Sequence, residues 1–268
     1  MARPETISSA ANPLVKSVRR AIARGSLTED GLCVAETFHL LEEALRSECA
    51  VKVVLAARSV QSAVEAHVRR LAGIRMAVLS DALFQTISGT ESTQGVITLI
   101  APPSWTLEQL FRGRALTIVL DGVQDPGNAG AIVRAAEAFG ATGVLFLKGA
   151  ASPFNPKALR ASAGSLFRVP FVHSVDAELA QAAFHQNKLD VYAAVPFTAA
   201  NHVKSLVDVD FTRKSAVIIG SEGRGVSQTL HADAFSLAIP TVGVESLNAA
   251  VAAAVILYEA RRQRSLRP

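Results

Sequence analysis

The sequence predicts an α/β protein with two domains, and three observations carry that prediction. Short apolar runs of strand length alternate along the chain with stretches whose apolar residues recur at helical spacing. Half of the 268 residues are hydrophobic and 19% are charged, which is the balance of a well-packed globular chain. The stretch APPSWTLEQLFRGR interrupts the alternation with two adjacent prolines. We therefore predict an N-terminal domain over residues 1–100, a linker over 101–114 and a C-terminal domain over 115–268.

The N-terminal domain is expected to be a small α/β sandwich that opens with a helix. Asn12 suits the N-cap of this helix and Pro13 its first turn. On one face lie Lys16, Arg19 and Arg20, which form either a solvated charged face or a surface that contacts phosphates. The elements predicted next are strands at 32–36, 51–56, 75–79 and 94–100, and helices at 37–47, 60–72 and 81–87, the last capped by Asp81.

The C-terminal domain opens with LTIVLDGVQDPGNAGAIVRAAEAFGATGVLFL, residues 116–147, which is typical of a strand–loop–helix–strand unit. In its helix, Asn128 suits the N-cap and Gly140 the stop. The elements predicted beyond it are helices at 156–165, 176–186 and 248–264, and strands at 167–172, 189–195, 215–220 and 236–240. Strands that alternate with helices imply a mostly parallel sheet covered by helices on both faces.

Three loops of this domain follow apolar strands and are rich in glycine. They are DGVQDPGN at 121–128, GSEGRG at 220–225 and PTVGVESLN at 240–248. Glycine allows a backbone to approach a ligand closely. Ligand sites of open α/β sheets lie at the carboxyl ends of the strands, so we expect these loops to surround one pocket.

Five polar side chains on or next to these loops are the candidates for chemistry: Asn128, Arg134, Glu222, Ser246 and Asn248. Each of these residues also has a purely structural interpretation. Both asparagines could be N-caps, with Ser246 part of the second cap. Arg134 could pair with Glu137 on the same helix, and Glu222 could face solvent.

Several other classes of site find no support in the sequence. A G-x-G-x-x-G after a first strand and a Walker A lysine are both missing, which disfavours a nicotinamide-dependent dehydrogenase. The histidines and the two cysteines lack metal-ligand spacing, so we expect no metal. The sequence has neither an apolar segment of membrane-spanning length nor a secretory signal, so we expect a cytoplasmic protein without a membrane partner. The net charge of +4 is compatible with a polyanionic partner.

Three motifs of the C-terminal domain resemble, in family order, the SpoU/TrmH family of RNA ribose 2′-O-methyltransferases in the SPOUT superfamily. They are NAGAIVRAAEAFGATGV, IIGSEGRGVS and IPTVGVESLNAAVAAAVILYEARRQR. The N-terminal segments ISSAANPLVKSVRR and TESTQGVITLI resemble more loosely the substrate-binding domain that many members carry. Where relatives usually have a glutamate–glycine pair, this chain has Glu36–Thr37.

The resemblance implies a fold and a cofactor that residue patterns do not show. It implies a deep C-terminal trefoil knot that holds S-adenosylmethionine largely through backbone groups, here at Gly220, Ile239 and Leu247. It also implies a homodimer with active sites at the interface. The last helix would bury in that interface Val251, Ala254, Val255 and Tyr258. Its negative end would be offset by Arg261, Arg262 and Arg264.

The activity implied by the resemblance is methylation of a ribose 2′-hydroxyl in RNA. Arg134 would activate the hydroxyl, Asn128 would orient Arg134 or the ribose, and Glu222, Ser246 and Asn248 would complete the pocket. Free arginine has a pKa above about 12, so Arg134 either has a greatly lowered pKa or holds a phosphate that takes the proton.

Ribosomal RNA is the expected substrate, because a separate RNA-binding domain suits a structured RNA. A variant of this prediction is a self-protection enzyme that modifies ribosomal RNA against an antibiotic. The alternatives are a transfer-RNA 2′-O-methyltransferase and a non-catalytic RNA-binding or ribosome-assembly protein of the same fold.

Overall fold

The computed structural model describes residues 4–69, 73–197 and 203–265, and its contacts divide the chain into two compact units. The first unit contains the chain up to Ser104 together with Phe154–Phe167, and the second contains Trp105–Pro153 and the chain from Arg168 onward. The boundary after Ser104 falls inside the predicted linker, but residues 105–114 pack with the second unit, where Leu110 is buried. Phe154–Phe167 packs with the first unit, although the sequence places it in the C-terminal domain.

The strands of the described residues are β1 (Glu5–Ile7), β2 (Cys33–Glu36), β3 (Val51–Ala57), β4 (Arg75–Leu79), β5 (Val96–Ile100), β6 (Leu116–Asp121), β7 (Gly143–Leu147), β8 (Phe171–Val175), β9 (Asp190–Ala194), β10 (Lys204–Ser205), β11 (Ser215–Gly220) and β12 (Phe235–Ala238). The α-helices are α1 (Pro13–Arg24), α2 (Phe38–Arg46), α3 (Gln61–Val68), α4 (Asp81–Gln85), α5 (Leu107–Leu110), α6 (Pro126–Phe139), α7 (Pro156–Ser162), α8 (Ala177–Gln186), α9 (Gln228–His231) and α10 (Ala249–Ser265).

Most predicted elements occur close to their predicted bounds, and the differences have local causes. The short strands β1 and β10 and the four-residue helices α5 and α9 were not predicted, because two to four residues carry no readable periodicity. The strand predicted at 167–172 is wrong in position: β8 begins at Phe171, after Pro170, which has no N–H to donate to a sheet. The N-cap of α4 is Ser80 rather than Asp81. The end of the helix predicted at 60–72 lies partly outside the described residues.

The first unit is built on a mixed sheet with the strand order β1-β4-β3-β5-β2, in which β5 is antiparallel to both neighbours. Helix α1 begins as predicted, because Asn12 Oδ1 accepts a hydrogen bond from Leu14 N at 2.9 Å. Val15, Val18 and Ala21 form its buried face. The predicted phosphate-contacting residues all lie on its exposed side: Lys16, Arg19 and Arg20.

A buried carboxylate joins α7 to the rest of the first unit. Glu36, at the end of β2, is 3% exposed. It accepts hydrogen bonds from Arg160 Nη1 at 2.6 Å, from Gly89 N at 2.8 Å and from Ser88 Oγ at 3.0 Å. The next residue, Thr37, has a φ of 119°, a conformation that favours glycine, and its hydroxyl caps α2 by accepting from Leu40 N. Compared with a glycine at this position, Thr37 is less favourable in this backbone conformation, but its side chain caps α2.

Replacing Arg160 by alanine is expected to destabilise the first unit by about 3 kcal/mol, because it leaves the Glu36 carboxylate buried without its cationic partner. Arg75→Ala is the matched control. Its ion pair with Glu5 has both side chains about half exposed, and its loss should cost less than about 1 kcal/mol. Hydrogen exchange of the β2 and β5 amides measures both variants. Equal protection in the two variants would show that Arg160 does not hold this carboxylate.

The second unit is built on a parallel sheet with the order β10-β12-β9-β11-β6-β7-β8. Every strand pair among its described residues is parallel, which confirms the predicted class of sheet. β6 and β11 are neighbours, with Asp121 opposite Gly220. Because both strands end at this register, the loops that follow them lie side by side.

Helices α6 and α10 pack against each other in the second unit. Asn248 contacts Asn128 near the start of the pair, and the rings of Tyr258 and Phe139 meet near its end, at 5.8 Å between centroids. The two helices therefore run in the same direction. No helix in the described parts of the chain combines the length and apolarity needed to cross a membrane.

Candidate active site

The N-cap of helix α6 lies three residues before the predicted one, Asn128. Pro126 is the first residue of the helix, and Asp125 is the N-cap, with Oδ1 accepting a hydrogen bond from Asn128 N at 2.9 Å. The prediction that Asn128 caps this helix is therefore wrong. An aspartate followed by proline forms a good helix start, since proline at the first position has no N–H to leave unpaired. Asn128 thus has its side chain free for other contacts.

The side chain of Asn128 joins a network with Glu222 and Asn248. Asn128 Nδ2 donates to Glu222 Oε1 at 2.6 Å. Asn248 Nδ2 donates to Asn128 Oδ1 at 3.1 Å and to the same Glu222 oxygen at 3.3 Å. Three polar residues, one from each predicted loop, therefore meet at one point.

Asn248 also caps α10. The interpretation of Asn248 as an N-cap is therefore correct, but it does not account for the contacts of its amide nitrogen. Its Oδ1 accepts from Ala250 N at 2.9 Å and from Val251 N at 3.3 Å. The oxygen of the amide is used by the helix start and the nitrogen by the network, because the two ends of an amide have opposite hydrogen-bonding roles. The cap therefore fixes the position in which Asn248 meets Glu222.

The glycine loop, residues 220–225, is a tight turn that places Glu222 at its tip. Ser221 and Gly225 exchange two backbone hydrogen bonds, of 3.1 and 2.9 Å. A Cβ at Gly220 would lie 2.2 Å from the backbone of Gly225, so this position admits only glycine. Glu222 is exposed, as the solvent-facing interpretation expects. Its carboxylate nevertheless accepts hydrogen bonds from Asn128 and Asn248.

Two cavities adjoin this network. The larger cavity, of about 600 Å³, lies between the glycine loop and the loop before α10, and its walls include Gly220, Ile239, Ser246, Leu247 and Asn248. The smaller cavity, of about 230 Å³, is lined by the loop after β6 and by Asn128. Glu222 lines both. The structure thus brings together four of the five polar candidates: Asn128, Glu222, Ser246 and Asn248.

Arg134 lies apart from the other four. It is exposed, six residues and about 9 Å along α6 from Asn128, and neither cavity includes it among its described lining residues. The alternative pairing with Glu137 is wrong, because Glu137 accepts hydrogen bonds from Arg168 at 2.5 and 3.0 Å. Within residues 4–69, 73–197 and 203–265, Arg134 has no hydrogen-bond or ion-pair partner for its guanidinium.

An apolar stripe of three side chains runs along the exposed face of α10. Val251 is 49% exposed, Val255 37% and Tyr258 58%. In the single chain, the helix buries a different set of residues: Ala249, Ala253, Ile256, Leu257 and Ala260. Arg134 lies about as far along α6 from Asn128 as Val255 lies along α10 from Asn248, so it is level with this stripe.

Sequence reasoning did not single out Gln124, Asp125 or Arg224, which line the smaller cavity. The aspartate–proline helix start could have identified Asp125. A single basic side chain inside a glycine-rich turn was the available signal for Arg224. No group of three or more His, Cys, Asp or Glu side chains suited to a metal ion occurs in the described parts of the chain.

The larger cavity has the properties of a small-molecule site. Its volume lies in the range of about 300–1,000 Å³ that such sites occupy. Ile239 and Leu247 are half-buried apolar walls. At Gly220 the wall is a tight backbone turn that carries no side chain. These residues fit S-adenosylmethionine, which combines an apolar nucleoside face with polar groups.

Comparisons with known proteins identify the family of the chain. The model of the SpoU rRNA Methylase family matches residues 115–258, and that of the MRM3-like substrate binding domain matches residues 12–98. The chain is 32% identical to the 23S rRNA (guanosine(2553)-2′-O)-methyltransferase RlmP of Bacillus subtilis, over 95% of this chain and 98% of that protein. It is 33% identical to an uncharacterised tRNA/rRNA methyltransferase of Synechocystis, over 97% and 94% of the two chains.

A solved structure is similar over nearly the whole length. The SpoU methyltransferase AviRb of Streptomyces viridochromogenes, in complex with the cofactor AdoMet, superposes with a TM-score of 0.82 at 25% identity, over 95% of this chain and 98% of that one. The family match covers more than half of the chain. The chain therefore belongs to the SpoU rRNA Methylase family and is an S-adenosylmethionine-dependent RNA methyltransferase.

Proposed function

We propose that this chain methylates a ribose 2′-hydroxyl of 23S ribosomal RNA. The observation that carries the proposal is the Asn128–Glu222–Asn248 network, which lies where the two cavities adjoin. The Bacillus subtilis relative, which matches nearly end to end, is named for this reaction on 23S ribosomal RNA. The matched substrate-binding domain model over residues 12–98 supports an RNA of some size as the partner.

The larger cavity is the proposed cofactor site, with Gly220, Ile239 and Leu247 as the residues that hold the cofactor. S-adenosylmethionine supplies an electrophilic methyl group when bound. The neighbouring smaller cavity then receives the target ribose, next to Asn128 and Glu222. Ser246, exposed at the rim of the larger cavity, completes the set of hydrogen-bonding side chains.

Glu222 is the proposed acceptor for the ribose. An ionised carboxylate offers about four acceptor positions, and the two asparagine amides use only part of that capacity. A hydroxyl of the ribose can therefore donate to Glu222 without displacing either amide. The two amides hold the carboxylate in place, and such fixed geometry is what a transfer between two bound groups requires.

Arg134 is proposed to bind an RNA phosphate beside the target ribose. Removal of the proton by Arg134 itself would require a neutral guanidine, whereas an exposed cation suits a phosphate. The phosphate, or a water next to it, then takes the proton of the 2′-hydroxyl. The orienting partners of Asn128 in this scheme are Glu222 and Asn248 rather than Arg134.

We also propose a homodimer joined through the stripe of α10. Val251, Val255 and Tyr258 expose apolar surface at helical spacing, which favours an interface over contact with water. Arg134 is level with this stripe, so a dimer would place it near the partner's surface. The deep trefoil knot is proposed on a separate ground, namely that the chain belongs to the SpoU rRNA Methylase family and superposes on AviRb with a TM-score of 0.82.

Introducing a charge into the stripe is expected to separate the dimer. Val255→Glu would bury a carboxylate in an apolar interface, so the variant should elute with the mass of one chain and lose most of its activity. Val207→Glu is the control, since Val207 is 72% exposed and lies outside the stripe. Light scattering after gel filtration measures both masses. An unchanged mass for Val255→Glu would rule out this interface.

The exposed side of α1 is the proposed RNA contact of the first unit. Arg20 forms an ion pair with Glu29, while Lys16 and Arg19 have no ion-pair partner within the described residues.

We also propose a cytoplasmic location, because the proposed substrate is ribosomal RNA.

The proposed function is tested by methyl transfer from labelled S-adenosylmethionine to unmodified 23S ribosomal RNA and, in parallel, to transfer RNA. The expected product is a single 2′-O-methyl nucleotide in 23S ribosomal RNA, mapped by its resistance to alkaline cleavage. Methyl transfer only to transfer RNA would show that transfer RNA, and not 23S ribosomal RNA, is the substrate. Cofactor binding without transfer to any RNA would favour the non-catalytic alternative.

A further inference from the structure

Arg224 lies where the two cavities adjoin. It lies in the glycine loop and lines both the larger and the smaller cavity. Among the described residues that line them, the acidic side chains are Asp125, Glu222 and Glu245, and Arg224 is the one basic side chain. A polyanionic strand that enters walls with three carboxylates needs a cation to offset the repulsion.

The guanidinium of Arg224 is exposed and has no hydrogen-bond or ion-pair partner within the described ranges of the chain. Within the described residues, none of these three carboxylates forms an ion pair with Arg224. Glu222 accepts from Asn128 and Asn248, and Asp125 accepts from Asn128 N. The positive charge of Arg224 is therefore available to a ligand.

The backbone that carries Arg224 is fixed. Arg224 N donates to Ser221 Oγ at 3.2 Å, inside the turn closed by the two hydrogen bonds between Ser221 and Gly225. The loop also lies against the loop after β6, because a Cβ on Gly122 would be 3.6 Å from Ser221 Cβ. A cation on a fixed backbone loses less freedom on binding than one on a mobile loop.

We propose that Arg224 is a positioning residue that binds a phosphate of the RNA strand next to the target ribose, and this inference rests on the proposed function. A guanidinium can donate two parallel N–H groups to one phosphate, which fixes orientation as well as distance. Arg224 lies at the boundary between the two cavities, whereas Arg134 lies outside both. The two arginines would therefore hold different points of the same strand.

The test compares Arg224→Gln with Arg224→Lys, using unmodified 23S ribosomal RNA as the probe. For Arg224→Gln we expect the KM for RNA to rise about tenfold, with kcat at saturating RNA within about twofold of the wild type. The slope of log affinity against log salt should fall by about 1, the value for one lost phosphate contact. Arg224→Lys should keep the salt slope but regain only part of the affinity.

Lys214→Gln is the matched control, because Lys214 precedes β11 and lies at the end of that strand opposite the glycine loop. It removes the same charge and should leave KM and the salt slope unchanged. Calorimetry with S-adenosylmethionine should give wild-type affinity for all the variants, which also shows that they fold.

Two outcomes would overturn the inference. Weaker cofactor binding with an unchanged KM for RNA would assign Arg224 to the cofactor. Identical behaviour of Arg224→Gln and Lys214→Gln would show that the guanidinium does not contact RNA. Because RNA affinity is also measured by filter binding, the comparison stays informative if the wild-type chain binds 23S RNA but transfers no methyl group, a result that would reject only the proposed function.

Discussion

Arg134→Lys should lower kcat for 2′-O-methylation by about 100-fold or more while binding of S-adenosylmethionine stays near normal. Lysine keeps the positive charge but loses the planar pair of donors, so it cannot reproduce a two-point phosphate contact. Losses of this size are typical when one preorganised donor to a developing charge is removed. Arg134 is exposed and has no partner within the described residues, so the substitution should leave stability within about 0.5 kcal/mol.

Arg213→Lys is the matched control for this variant. Arg213 pairs with Asp190 and precedes β11, at the end of the strand away from the site. Its replacement should leave the rate of methyl transfer unchanged. Near-full methylation by Arg134→Lys would refute the role assigned to Arg134.

The role of Arg134 as a phosphate anchor can be separated from that of a base by changing the RNA instead of the protein. A methylphosphonate next to the target ribose removes one phosphate charge. If Arg134 binds this phosphate, the altered RNA should slow the wild type about as much as the substitution does and should slow Arg134→Lys little further, because coupled groups are not additive. Independent losses would point to Arg134 as the base.

Arg264→Ala is expected to destabilise the second unit by about 3 kcal/mol or more. The Arg264 guanidinium donates to the backbone carbonyls of Phe211, Arg114, Ala115 and Arg213, at 2.7, 2.5, 2.9 and 2.9 Å. These carbonyls lie near the starts of β6 and β11, so one side chain ties the end of α10 to the centre of the sheet. Alanine would remove the charged donor from all four carbonyls, although Ala115 O still accepts from Ser215 N and Arg213 O from Ser215 Oγ.

Burial, and secondly the nearby charge of Arg114, lower the pKa of Arg264 to about 10, which leaves the group protonated at neutral pH. Its four contacts are therefore charge-assisted hydrogen bonds, which are stronger than neutral ones. Arg261→Ala on the same helix is the control. Arg261 is exposed, and its loss should change stability by less than about 0.5 kcal/mol.

The single tryptophan, Trp105, belongs to the second unit and reports its unfolding by urea through fluorescence. The midpoint for Arg264→Ala should be clearly lower than that for Arg261→Ala. Similar midpoints would mean that the end of α10 contributes little to the stability of this unit.

The elements around the site were largely predictable from local sequence. β6 ends at Asp121, one residue beyond the predicted run, and α6 stops at Gly140, whose φ of 76° is the left-handed conformation expected there. The one local error in this segment concerns the start of α6. Asp125 and Asn128 both suit an N-cap, and the proline after Asp125 decides between them.

The meeting of the site residues depends on contacts that local patterns do not contain. Asn128 is 94 residues from Glu222 and 120 from Asn248, and they meet because β6 and β11 are neighbours with Asp121 opposite Gly220. Strand order and register follow from burial of the whole sheet and cannot be read from one segment. The position of Arg134 outside the pocket, in contrast, follows from its place six residues along α6 from Asn128.

Periodicity, caps and turns are interactions between residues a few positions apart, so the amino-acid sequence was enough to establish most of the strands and helices and the three loops. The motifs carried by those loops also established the family. Only the tertiary structure assigned Phe154–Phe167 to the first unit, bonded Asn128 to Glu222 and placed Arg224 between the two cavities. Each of these depends on which distant surfaces bury one another, a competition that involves the entire chain.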